Sequence, residues 1–153
     1  MTIIELKDRQ EFDADSKLYK LYIQFTQLIN ELKKKDLPDI IVEAINEDIK
    51  DLNSLTTSEQ VKVAVKQKQT KIIKLLEKQL KIVPVNYYRN IWLAVGMSAF
   101  GLPLGVAIGL SLGNIGLLGI GLPIGMAIGA GVGTGMDKKA LQEGRQLNVE
   151  IKY

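Results

Sequence analysis

Seven lysines, Lys62, Lys66, Lys68, Lys71, Lys74, Lys78 and Lys81, share a stretch of twenty residues in which Glu77 is the one acid. Ammonium groups at that density attract anions, and three occupants are open. Headgroups of an anionic bilayer contribute on the order of 1 kcal/mol for each basic residue held near the surface. An oligonucleotide or nucleotide signal would be held through its phosphates. The third occupant is the protein itself, since residues 1–59 carry 13 Asp/Glu against 8 Lys/Arg.

Little else in the chain could do chemistry. It has no histidine and no cysteine, which removes disulfides, Cys/His zinc sites and thiol or imidazole nucleophiles and bases. The acidic pairs Asp13/Asp15 and Glu47/Asp48 fall in helical, solvent-facing contexts without pocket-forming partners, and read as solvated faces. No Gly-Lys is followed by Ser or Thr, and Gly129, Gly131, Gly133 and Gly135 run at spacing two, so neither phosphate-loop pattern is present. No enzyme, metal or cofactor is expected.

The elements that must carry these residues are unequal. From Asn90 to Met136 there are 47 residues without one charge, and 13 of the 14 glycines lie between Gly96 and Gly135. A helix needs about 20 apolar residues to cross the hydrocarbon core, and the block divides at Gly113-Asn114, a suitable turn pair. The pattern therefore predicts two spans, 91–112 and 115–136. Lys78, Lys81 and Arg89 precede them, and Lys138, Lys139 and Arg145 follow, which places both termini in the cytoplasm. Tyr87, Tyr88 and Trp92 are suited to the interface. A buried hairpin in a soluble fold is the alternative, and it would absorb about 1 kcal/mol per glycine and ~3 per proline. The opening residues have no apolar core of a secretory signal, so insertion is expected to depend on the hairpin.

Within the block, residues 101–110 and 121–130 match at seven of ten positions. Gly101, Gly105, Gly109 and Gly113 form one ladder of spacing four, and Gly121, Gly125, Gly129 and Gly133 form another. Such stripes let backbones approach closely, and are read as helix-packing or pore-lining positions. Pro103 and Pro123 stand at similar depth near the bilayer midplane and each frees one carbonyl, of Ala99 and of Gly119. The freed groups serve either a packing kink or a polar path. With no ionisable residue in the spans, a coupled transporter is not expected. Two helices cannot enclose water, so a pore would be shared among identical chains.

Ahead of the spans, Leu18, Tyr22, Phe25, Ile29 and Leu32 predict an amphipathic helix over about 12–35, ended by Asp36-Leu37-Pro38. Ile41, Ile45, Ile49 and Leu52 mark a second over 39–52. Thr57 or Ser58 caps a third, with Val61, Val65, Ile72, Leu76, Leu80 and Val83 on its apolar side and Pro84 after it. The tail from Leu147 to Tyr153 alternates apolar and polar, suggesting a short strand that pairs with Thr2–Leu6. The expected architecture is an all-α membrane protein: a cytoplasmic helical domain (1–84), a transmembrane hairpin (85–136) and a cytoplasmic tail (137–153).

The stretch from Pro103 to Leu147, with GNIG at 113–116, the repeated ladder and GMDKKALQEGRQL at 135–147, resembles small bacterial glycine-zipper two-span membrane proteins. Among these it is similar to the channel effector of Hailong-type antiphage defence systems. The resemblance covers about the last third of the chain. It implies a homo-oligomeric pore in the bacterial inner membrane, controlled by a partner nucleotidyltransferase through an oligonucleotide signal. It transfers no signal-binding residue. The alternative is a non-conducting membrane anchor or scaffold for a partner protein.

Overall fold

A computed structural model describes residues 1–9, 12–13 and 16–152. The chain forms two units, Met1–Val83 with Leu147–Ile151, and Pro84–Gln146. The first boundary falls at Pro84, six residues before the uncharged block begins at Asn90. The helix of the second span runs past residue 136, so residues 137–146 stay with the hairpin, while 147–151 return to the first unit.

In the first unit, α1 spans Lys17–Lys33, α2 Asp39–Ser54 and α3 Ser58–Leu80. The start of α1 lies after residue 12 because Ser16 takes the cap, its Oγ accepting the Tyr19 N–H at 3.0 Å; positions 14 and 15 of the expected helix lie outside the described residues. The buried stripe is Leu18, Tyr22, Phe25, Leu28, Ile29 and Leu32 on α1, facing Val61, Val65, Ile72, Ile73 and Leu76 of α3 and Ile41, Val42, Ile45, Ile49 and Leu52 of α2. Helix α3 packs on both α1 and α2. It ends as Lys81 turns to φ +56, with the Ile82 N–H donating to the Leu76 carbonyl (3.3 Å).

The segment of residues 2–9 is held on α2 by side chains. The Ile4 N–H donates to Asn46 Oδ1 (2.9 Å) while Asn46 Nδ2 donates to the Thr2 carbonyl (3.0 Å). One step on, the Lys7 N–H donates to Asn53 Oδ1 (2.9 Å) and Asn53 Nδ2 to the Glu5 carbonyl (3.0 Å). This corrects the expected pairing of the tail with Thr2–Leu6. Three of those backbone groups, the Thr2 and Glu5 carbonyls and the Ile4 N–H, already have partners, and the tail strand β2 (Gln146–Glu150) pairs instead with β1 (Val83–Val85). Proline is tolerated in β1 because a two-stranded ribbon leaves one edge of each strand open. The alternation read in the tail holds: Leu147, Val149 and Ile151 are buried, and the Asn148 N–H donates to Glu31 Oε2 (3.1 Å).

The second unit is a hairpin of α4, Tyr87–Ser111, and α5, Ile115–Gln142. At 25 and 28 residues, both are long and apolar enough to cross a membrane. The reversal is the expected one. Gly113 adopts φ +65, which glycine enters without a Cβ penalty, and Asn114 Oδ1 accepts the Gly116 N–H at 3.0 Å.

Candidate functional site

The glycine ladders face each other across the hairpin. A Cβ on Gly125 would sit 2.7 Å from Gly101 Cα, one on Gly121 2.6 Å from Gly105 Cα, and one on Gly133 2.5 Å from Arg89 Cα. On the opposite helix, a Cβ on Gly105 would meet Leu118 Cα at 3.2 Å, and one on Gly101 the Gly121 carbonyl oxygen at 3.0 Å. Gly129 is closed by the Trp92 backbone, and a Cβ on Gly109 would lie 3.3 Å from the Asn114 oxygen. Only hydrogen fits at the tightest of these positions, so the two backbones approach as small-residue seams allow. Gly113 is the exception, since nothing lies within 4 Å of its missing side chain. It belongs to the turn, because the chain has already left the helix at Leu112.

Two seam residues fall outside the sequence-read ladders. Gly96 packs on Gly125 and Gly129, with its Cβ position 2.9 Å from Gly129 Cα. It stands five residues before Gly101, and in a uniform α-helix five residues overshoot one turn by about 140°. A π turn at Met97–Gly101, with the Leu102 N–H bonded to the Met97 carbonyl, absorbs the extra residue and keeps both glycines on one face. The turn lies just before Pro103, in the segment containing Ala99, whose carbonyl that proline cannot serve. Pro123 sits in continuous α-helix, so the two prolines do not have equivalent surroundings.

The other is Asp137, four residues beyond Gly133 and therefore on the same stripe. Its side chain is buried against the first turn of α4, with Oδ1 accepting the Tyr88 N–H (3.0 Å) and Oδ2 the Arg89 N–H (2.9 Å). A carboxylate there satisfies two donors that an α-helix leaves open and complements the positive end of its dipole. The hairpin is thus closed by a turn at one end and by an ionic cap at the other.

With the glycines spent inward, the opposite faces carry a second set of small residues. Ala99, Pro103, Ala107 and Ser111 line one exposed row of α4, and Gly119, Pro123, Ala127, Gly131 and Gly135 one of α5. A Cβ at Gly119, Gly131 or Gly135 would meet nothing within 4 Å. Around these rows are exposed aliphatic side chains such as Leu104, Leu110, Ile124 and Val132. Ser98 turns its hydroxyl back onto the Ala94 carbonyl, at 3.0 Å.

The lysines divide. Lys68 Nζ lies 3.1 Å from Asp48 Oδ1 and 3.0 Å from Asp51 Oδ2, and Lys71 Nζ lies 2.9 Å from Asp48 Oδ1. Burial is the largest influence on the Lys68 pKa and pulls it down, but the hydrogen bonds and charges of Asp51 and Asp48 together outweigh it and leave it raised. For these two, the in-chain acidic partner is the one realised. Lys81 pairs with Glu77 at 3.3 Å. Lys62, Lys66, Lys74 and Lys78 share one i, i+4 row through Thr70, and have no ion pair among the described residues. No group of three or more acidic side chains suited to a metal occurs among the described residues.

No protein family, curated protein or solved structure matches this chain.

Proposed function

We propose that the chain is a homo-oligomeric membrane protein whose hairpins assemble into an ion-conducting pore, opened by its helical cytoplasmic domain. One observation carries this reading: the glycine ladders are consumed within the hairpin, while the opposite faces offer uncharged small-residue rows on both helices. Those rows are the surfaces on which a neighbouring copy can pack closely. The ladder glycines are then packing residues, and the pore is lined from the outer faces, where Pro103, Pro123 and Ser111 stand.

The row Lys62, Lys66, Lys74 and Lys78 provides a basic face for anionic headgroups, or for the phosphates of an oligonucleotide signal. The basic flanks of the spans support both termini in the cytoplasm, and a bacterial inner membrane rests on the resemblance of residues 103–147. A role in antiphage defence under a nucleotidyltransferase rests on the resemblance of residues 103–147 alone. A gel shift with short oligonucleotides tests it, the expected result being a complex lost on charge reversal of Lys62, Lys66, Lys74 and Lys78. Purified chain reconstituted in liposomes is expected to pass ions once triggered. Intact oligomers in a bilayer that stays tight under every trigger would instead make the chain an anchor or scaffold.

A further inference from the structure

The N-terminal segment is bound as a peptide ligand is bound. In an extended chain the carbonyl of residue i and the N–H of residue i+2 point to the same side. Asn46 takes the Thr2 carbonyl and the Ile4 N–H, and Asn53 the Glu5 carbonyl and the Lys7 N–H. The two readers are seven residues apart on α2, about 10.5 Å of rise. The groups they read are displaced by three residues, about 10 Å of extended chain. The axial distances agree, but a displacement of three residues would turn the second pair to the other side of a flat strand, so the segment rotates about its axis between the two readers and is no regular strand. Each asparagine satisfies a donor and an acceptor of main chain.

One more main-chain contact and one side-chain anchor complete the groove. The Tyr22 hydroxyl of α1 donates to the Lys7 carbonyl (2.6 Å), so the segment bridges α1 and α2. Of residues 2–8, Ile3, Ile4 and Leu6 are half-buried and the others exposed. Arg9 is the buried anchor, donating to the Leu52 and Leu55 carbonyls at the end of α2 (3.1 and 2.6 Å). A segment held by main-chain hydrogen bonds and little apolar burial belongs to the low-stability end of a fold.

We propose that the α1/α2 groove is an exchange site for extended backbone, filled in cis by residues 2–8 and in trans by the same segment of a second copy. The exchange makes the same hydrogen bonds in both arrangements, which is the low-cost route to association. Neighbouring copies raise the local concentration of the segment. The second copy as occupant rests on the self-assembly proposed above; the groove does not.

The probe is a labelled peptide of residues 2–9 offered to the detergent-solubilised full chain. In an unclasped variant, Ile4→Pro with Lys7→Pro, the two N–H donors are gone and the groove is untouched. Peptide is expected to bind this variant at least tenfold more tightly than the unaltered chain, and to lose that gain when Asn46→Ala and Asn53→Ala are added. Equal binding to both chains, or a gain that survives loss of the asparagines, overturns the groove. Should the variant not fold, excess unlabelled peptide added to the unaltered chain is expected to accelerate amide exchange at Ile4 and Lys7; unchanged rates overturn it. For the occupant, isotopically light and heavy chains are co-assembled and cross-linked through lysines. Lys7–Lys50 links joining light to heavy are expected, whereas same-isotope links alone, or a chain monomeric by native mass spectrometry, remove the second copy while the peptide result still decides the groove.

Discussion

Alanine at Gly125 and alanine at Gly131 are the same chemical change on the same helix, six residues apart, yet the seam predicts opposite outcomes. At Gly125 the added Cβ would lie 2.6 Å from Gly101 N and 2.7 Å from Gly101 Cα, where ordinary contact begins at 3.4 Å. The backbones must part by about 0.7 Å or more, and neither atom belongs to a flexible side chain that could yield. Overpacking of this kind costs about 1–3 kcal/mol. Parting at Gly125 also loosens Gly121 and Gly129, one turn away on either side. At Gly131 the added methyl meets nothing within the hairpin, and in a single dispersed chain replacing an exposed helical glycine stabilises by about 0.5–1 kcal/mol. Reversible unfolding of the two variants as detergent-dispersed monomers should therefore separate them by roughly 1.5–4 kcal/mol, Gly125→Ala being the weaker. The chain has no cysteine, so introduced spin-label pairs across α4 and α5 can report the parting directly. Equal stabilities with unchanged inter-helix distances would refute the seam.

Four further outcomes are expected. Asp137→Ala removes two charge-assisted hydrogen bonds of about 1.5–3 kcal/mol each, and Asp137→Asn, which keeps one acceptor, should lose about half as much; protected Tyr88 and Arg89 amides in Asp137→Ala would contradict the cap. Leucine at Gly131 and Gly135 should leave the hairpin folded but reduce oligomer size, and unchanged oligomers by native mass spectrometry would show that the outer row is not a packing surface. The Lys68 pKa is raised above 10.5, so its ion pairs contribute fully below pH 10.5 and are lost as pH rises through the higher folded value; Asp51→Asn with Asp48→Asn should remove that alkaline loss and either change alone reduce it, and an unaltered profile in the double variant would dismiss the network. The Glu31 pKa is lowered below 4.5, first by the Lys34 hydrogen bond and also by the Asn148 N–H, so its contribution is present above pH 4.5 and lost as pH falls through the folded value; exchange at the Asn148 amide should accelerate there and stay constant in Glu31→Gln.

How much was legible in the sequence follows from what each signal depends on. The helices of the first unit were readable because Leu18 to Leu32 and Ile41 to Leu52 repeat at helical spacing around one core. The spans and their turn followed from the uncharged block and Gly113-Asn114. The ladders were visible as spacing four, but Gly96 was hidden because a π turn makes its spacing five, and Asp137 because continuing a glycine stripe with a carboxylate is not an apolar signal. Asn46 and Asn53 were invisible for a different reason: their partners are backbone atoms more than forty residues away in sequence, and no residue type marks a bare main chain. The same clasp explains why β2 pairs with β1 and not with Thr2–Leu6. The lysine series was legible as a concentration of basic charge, but which lysines meet Asp48 depends on how α2 lies against α3.

The most direct test of the account is ion flux through sealed liposomes reconstituted with the purified chain, with wild type, Gly125→Ala and Gly131→Leu compared at equal insertion. Triggered flux in the wild type, reduced by a parted seam and by a blocked outer row, is the result expected of hairpins assembled into a shared pore. Liposomes that remain ion-tight while the wild-type chain is folded, inserted and oligomeric would contradict it.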